Sequence, residues 1–151
     1  MNKELQQKII KIRDIEQKAR LACKPGKMSI KNYTVFLVDM ANNDYIKNYI
    51  IKPYGYPNHK MIGKKGMEAF WLLIQHQDRD PKLQEQCLKN CDFNDRNKAY
   101  LIDRVLINQG KKQIYGTQLI GEIKDKKNVD KRRKEMGLES LEEYLRKSGK
   151  L

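Results

Sequence analysis

Long apolar runs, a cysteine framework and proline-rich linkers are all missing from this chain of 151 residues. No apolar stretch approaches the ~18 residues that a membrane span needs. Met1–Arg20 also lacks the apolar core of a signal peptide. Neither membrane insertion nor secretion is expected, and a cytoplasmic location is. The three cysteines are too few and too irregularly placed for a disulfide scaffold. Cys87 and Cys91 stand four apart but lack the second ligand pair of a zinc site, so they read as buried free thiols. Gly63-Lys-Lys-Gly66 does not have P-loop spacing, and the Gly-x-Ser-x-Gly elbow and the His-Glu-x-x-His helix are absent. No metal and no cofactor are expected.

Charge, by contrast, is plentiful. Lys and Arg number 32 against 19 Asp and Glu, a formal net charge of +13, and hydrophobic residues make up 39%. That apolar share is too high for a wholly disordered chain. The length fits one domain spanning residues 1–151. The cationic excess is concentrated in the first half and is diffuse there, without the aromatic interleaving that single-stranded nucleic acid favours. A solvated basic surface is the main reading, with nucleic acid a less favoured partner.

The hydrophobic spacing predicts a mainly α-helical domain of about six helices. Leu5, Ile9, Ile12, Ile15, Ala19 and Ala22 recur at intervals of three and four, giving an amphipathic helix that Pro25-Gly26 stops. Val35, Val38, Met40, Ala41, Tyr45, Ile46, Tyr49 and Ile50 fit a second helical face over 34–51, although Tyr33–Val38 has strand propensity. Pro53 and Tyr54-Gly55-Tyr56-Pro57 end it, and Gly63 and Gly66 prolong the loop. Met67–Ile74 is apolar nearly all round apart from Glu68, which places it in the middle of the domain. Asp80-Pro81 starts the next helix, with Leu83, Cys87 and Leu88 facing inward. Asp95 caps another, with Ala99, Tyr100, Ile102, Leu106 and Ile107 inward and Gly110 as its stop. Residues 112–124 alternate partly and hold two glycines, which suits a short β-hairpin or an extended loop. Asp130 caps a short helix over Lys131–Met136 closed by Gly137. Ser140-Leu-Glu-Glu143 has capping-box form and opens the last helix, with Leu141, Tyr144 and Leu145 inward.

The candidate chemistry gathers where the central helix ends. Gln75, His76, Asp78, Arg79 and Asp80 follow eight largely apolar residues, and polar groups at a buried helix end must be paired or line a cavity. An imidazole beside a carboxylate suits a general base, because the carboxylate fixes the tautomer and stabilises the protonated ring. The plainer alternative is that His76 ties two helix ends together. Asp103 shares a side with Tyr100 and Leu106 and is the more inward of the Asp103-Arg104 pair. Its plainer role is a buried salt-bridge partner. Tyr115-Gly116-Thr117-Gln118 offers a phenol, a hydroxyl and an amide on a glycine-containing loop. His59, between Asn and Lys, reads as exposed.

Taken together, Trp71-Leu-Leu-Ile-Gln-His-Gln-Asp-Arg-Asp-Pro81, Tyr100-Leu-Ile-Asp-Arg-Val105 and Tyr115-Gly-Thr-Gln118 resemble the signatures of a bacterial domain family of unknown function over most of the chain. Glu16-Gln17 with Arg20, Val38-Asp39 with Asn42, Gly55-Tyr-Pro57, Val129-Asp130 with Arg132-Arg133, and Gly137-Leu138 fit the same pattern. Two departures stand out. Tyr54 replaces the histidine of a His-Gly-Trp-Pro turn, and the stretch after Gln118 is short. The resemblance implies no activity or cofactor. It implies that Arg20, Asp39, Asn42, Gln75, His76, Asp78, Asp103, Arg104 and Gln118 serve one shared site. The expectation is a pocket with His76 as acid–base group and Asp78 or Asp103 as its orienting carboxylate. Arg20 and Arg104 would hold an anionic or carbonyl group, Tyr115 and Gln118 would fix the pose, and Asp39, Asn42 and Gln75 would complete the ligand contacts. The reaction would be a metal-independent hydrolysis or group transfer on an unknown small-molecule or peptide ligand. The alternative is a non-enzymatic module that binds a protein or nucleic acid through its basic half. In a third reading the polar signatures merely lock the helices together.

Overall fold

Helix α1 (Lys3–Leu21) opens with a side-chain cap: Asn2 accepts from the Leu5 N–H at 3.0 Å. A computed structural model describes residues 1–23 and 30–150, and the expected stop at Pro25-Gly26 lies outside them. The inward stripe of α1 runs through Leu5 and Ile9 to Glu16, all buried. Ile15, expected inward, is 52% exposed. A stripe carried from Leu5 and Ile9 at 3.6 residues per turn reaches position 16 rather than 15, so a carboxylate holds a core position.

The chain is helical without a break from Ile30 to Tyr54, and the strand option for Tyr33–Val38 is not taken. Helix α2 (Ile30–Tyr45) runs into a π-helical turn, Ile46–Ile51, and then a single turn, α3 (Lys52–Tyr54). Gly55, at φ +76°, ends this run. Ile46 and Ile50 are fully buried, whereas Met40 and Tyr49 of the expected apolar face are exposed. Asn42 is the one buried residue of α2.

Helix α4 (His59–Gln75) starts earlier than the loop reading of Gly63 and Gly66 allows, and both glycines lie within it. Gly63 kinks the helix at φ +64°, and a Cβ at Gly66 would sit 2.9 Å from Ile62 Cβ and 3.2 Å from Gln6 Cγ. Small residues here let α1 lie close, tied by the Gln6 amide to Ile62 O at 2.7 Å. The central helix then buries Met67, Ala69, Phe70, Leu73 and Ile74 against Leu5, Ile9, Ile46, Ile50, Leu83 and Cys87. Apolar burial of this kind is the main driving force for the fold.

Asp80 caps α5 (Pro81–Asn90) by accepting from the Leu83 N–H at 3.0 Å, and Pro81 sits at the first helical position. Helix α6 (Asp95–Asn108) is capped by Asn94 instead of Asp95. Its buried side is Ala99, Leu101, Asp103 and Val105, so Tyr100, Ile102, Leu106 and Ile107 sit off the expected stripe. Residues 112–124 form no hairpin. Gln113 and Ile123 make one isolated parallel bridge, with positive-φ turns at Gly116 and Gly121 between them. A 3₁₀ turn (Lys126–Asn128) leads into α7 (Val129–Glu135), which Gly137 follows at φ +65°. Asp130 lies inside α7 and accepts from the Leu141 N–H at 2.7 Å, at the start of α8 (Leu141–Lys147), which Ser140 caps. Among the described residues no helix is long and apolar enough to cross a membrane.

Candidate functional site

His76 terminates α4 as its C-cap, carried to the edge of the core by the apolar residues before it. Its Nδ1 lies 2.6 Å from Oε1 of Glu16, whose side chain is 1% exposed. The expected orienting carboxylates, Asp78 and Asp103, are not on the ring. The same Glu16 oxygen takes the Nε of Arg20, and its second oxygen accepts from the Gln17 amide at 2.6 Å. Arg20 extends the chain of charges outward. Its Nη2 reaches Asp39 Oδ1 at 2.8 Å and Oδ2 at 2.7 Å. The result is a line from Asp39 through Arg20 and Glu16 to His76.

Burial pushes the Glu16 carboxyl up, but His76 and Arg20 close beside it outweigh this and hold the group down at about 2. Asp39 is shifted the other way. Burial raises it, and the nearby Glu16 charge adds to that against the pull of Arg20. Arg20 itself is raised: burial lowers it, and its two carboxylate partners prevail.

The imidazole faces a cavity of about 460 Å³, within the size range of small-molecule sites. One wall is α2, contributing Asn32, Val35, Phe36, Asp39, Met40 and Asn43. The other is the turn from His76 through Gln77, Asp78 and Arg79 to Asp80. Asp78 is held by Arg104 in a two-pronged pair at 2.7 and 2.9 Å and by Asn108 at 3.1 Å. Burial raises the Asp78 carboxyl, but Arg104 more than offsets this and the net shift is downward. Asp80 gives one oxygen to the α5 cap and the other to Lys47 at 3.0 Å and Asn43 at 3.2 Å. The Arg79 guanidinium stacks over the Phe36 ring at 4.0 Å.

Of the residues expected at one site, His76, Asp39 and Asp78 line this cavity, and Arg20 and Arg104 stand behind its carboxylates. Asn42 and Gln75 are buried beside it without lining it. Asp103, Tyr115 and Gln118 belong to a different construction. Asp103 is fully buried and accepts from the N–H groups of Ile114 (2.7 Å), Tyr115 (3.0 Å) and Thr117 (2.9 Å) and from the Thr117 hydroxyl (2.9 Å). Tyr115 thus contributes its backbone to Asp103, and its carbonyl accepts from Arg133 at 2.7 Å. Gln118 donates to Tyr100 O at 3.3 Å and accepts from Arg104 at 3.3 Å, so Arg104 links the two groups. Asp103 is therefore an anchor for the 113–118 loop, because its acceptor capacity is spent on that loop.

Glu16, Arg79 and Phe36 are not among the residues expected to act at the site, although Arg79 falls in the polar cluster after α4 and Glu16 in the family pattern. Glu16 sits four before Arg20, a spacing that ordinarily marks an exposed helix pair. Its burial came from the phase of α1, which two isoleucines on the neighbouring stripe concealed. Among the described residues no group of three or more His, Cys, Asp or Glu side chains is arranged to hold a metal ion.

The family model of a family of unknown function, DUF6624, matches residues 3–149. No curated protein and no solved structure matches the chain.

Proposed function

The chain belongs to this family of unknown function, DUF6624, and on that footing we propose from its own geometry that it is a small acid–base enzyme. Its cavity under α2 takes a small polar molecule, and His76 moves the proton in a hydrolysis or group transfer. One observation carries the reading: an imidazole at the cavity wall whose Nδ1 is 2.6 Å from a carboxylate buried to 1% exposure. With Nδ1 set against the Glu16 carboxylate, Nε2 is the nitrogen left for a ligand. The ionised Glu16 holds the Nδ1–H tautomer and stabilises the positive charge that the ring gains when Nε2 accepts a proton. Arg20 and Asp39 hold Glu16 in place from behind, as positioning residues.

The test uses p-nitrophenyl acetate as a probe for a reactive imidazole. The full chain is expected to hydrolyse it, and His76→Ala is expected to lower the rate by ~10²-fold or more, the range of general-base removal. Glu16→Gln lowers it less, and His59→Ala, at an exposed histidine, leaves it unchanged. A rate indifferent to His76→Ala in a folded protein contradicts the reading.

A further inference from the structure

We infer that the loop over 118–124 and the outer face of α7 form a docking surface for an anionic lipid bilayer. The contact is peripheral and spans nothing. Apart from the acid–base reading it stands alone, since none of these residues lines the cavity.

The charge comes from a row of lysines. Lys124, Lys126, Lys127, Lys131 and Lys134 are all exposed, and none is in an ion pair among the described residues. The acids of the same stretch are turned elsewhere. Asp125 takes Arg132 at 3.3 Å, and Asp130 takes the Leu141 N–H at 2.7 Å. Glu135, past the end of the row, is the acid here without such a partner. The 3₁₀ turn and α7 run on as one helical stretch, and Lys127, Lys131 and Lys134 recur at intervals of four and three, so they share a face. Val129 and Arg133 are buried on the opposite side. A row of like charges without counter-charges raises a positive potential that a negative surface relieves.

The loop adds an apolar tip to this row. Gln113 is buried and draws the chain round itself. Its N–H donates to Glu122 O at 2.8 Å, its carbonyl accepts from the Lys124 N–H at 2.8 Å, and its side-chain amide donates to Ile120 O at 2.7 Å. Its Oε1 accepts from the Gln118 N–H at 2.8 Å. A loop fastened at four points carries its outward side chains in a fixed place, and here these are aliphatic: Leu119 is 44% exposed and Ile120 68%. Arg132 Nη2 then takes Lys124 O at 2.7 Å and Asp125 O at 2.9 Å, which joins the loop to α7. Tip and lysine row are parts of one bonded unit.

The combination selects the partner. Ammonium groups meet diffuse negative charge and lack the planar fork that reads a phosphate in one geometry. Residues 118–134 contain no aromatic ring on which a base could stack. The Asn128 amide, a possible base contact, is spent on Asp125 at 2.8 Å. A nucleic-acid duplex could take the lysines but would leave Leu119 and Ile120 in water. An anionic bilayer uses both, because its headgroups meet the lysines and its acyl boundary receives the two aliphatic side chains.

Flotation of the full chain with two kinds of vesicle tests this, phosphatidylcholine alone and phosphatidylcholine mixed with phosphatidylserine. Binding is expected on the mixture alone and should weaken with added salt. Replacing the tip by Leu119→Ser and Ile120→Ser is expected to weaken binding ~10-fold. Reversing the row by Lys127→Glu, Lys131→Glu and Lys134→Glu should weaken it ~100-fold or more. The same change of net charge made elsewhere, by Lys60→Glu, Lys64→Glu and Lys65→Glu, should cost less than ~5-fold. Ile120→Trp is expected to bind more tightly and to shift its emission to the blue on the mixed vesicles. That variant reads the tip without removing apolar surface, so the test stands even if the serine pair fails to fold. No binding to the mixture, equal losses from the two lysine triples, a folded serine pair that binds like the wild type, or an unmoved tryptophan emission would each overturn the inference. A DNA duplex bound as tightly as the mixture, with no dependence on the tip, would overturn it in favour of nucleic acid.

Discussion

Glu16 stands where the stripe of α1 would otherwise carry a leucine or an isoleucine, and it stays charged there because His76, Arg20 and Gln17 surround it. Burying a carboxylate without partners would shift it towards the neutral acid. Here the shift is opposite, from an ordinary 4.5 to about 2. A group depressed on folding stabilises the native state at pH values above its unfolded value. That contribution is lost as pH falls from the unfolded towards the folded value. Wild type and Glu16→Gln should therefore differ most at pH 5 and converge as pH drops towards 2, with a difference at the top on the order of 3 kcal/mol. Asp78 and Asp80 are also held down, and both remain in the variant, so the difference reports Glu16 together with its effect on Asp39. Urea unfolding across that pH range measures it, and parallel curves for the two proteins would contradict the account.

At the scale of elements, the loop over 113–118 is a segment clamped between opposite buried charges. Asp103 collects its N–H groups from one side, and fully buried Arg133 takes the carbonyls of Tyr115 at 2.7 Å and Gly116 at 3.4 Å from the other. The Arg132 Nε adds a bond to Ile114 O at 2.9 Å. Beyond the bridge at Gln113, the loop satisfies its buried backbone in this way. Asp103→Asn leaves one acceptor oxygen for donors that used two, so it should cost about 3 kcal/mol and lower Tm by roughly 6–12 °C. Ester hydrolysis per folded molecule should stay at the wild-type level. A thermal melt paired with the rate decides whether Asp103 is an anchor, and a lost rate at unchanged Tm would refute that role.

What the sequence disclosed about elements follows from which forces are local. The apolar run 67–74, the Asp80-Pro81 start and the Ser140 cap are set by neighbours within a few residues, and each stands where the spacing put it. The polar cluster at the end of α4 was legible for the same reason. The phases of α1 and α6 were not, because a helix with apolar residues on two adjacent stripes is turned by what packs against it. That rotation put Glu16 inside, Ile15 outside and Leu101 in place of Ile102. The joining of Asp103 to residues 114–117 likewise depends on a loop path that no periodicity encodes.

Over the whole molecule, the net charge of +13 and the site are separate matters. The cavity's carboxylates are matched within the fold by Arg20, Arg104 and Lys47, while the excess of lysines is spread over the outside. Added salt screens exposed charges over a Debye length of about 8 Å at physiological strength but touches a buried pair far less. The construction as a whole is a central apolar helix that delivers one imidazole to a cavity and a long outer helix, α1, that supplies its carboxylate from the other side of the core. The most direct measurement of that claim is the ring nitrogen spectrum of neutral His76 by long-range ¹H–¹⁵N correlation. The account predicts the Nδ1–H tautomer with a bare Nε2 in the wild type, and reversion to the commoner Nε2–H form in Glu16→Gln. An Nε2–H ring in the wild-type protein would contradict it.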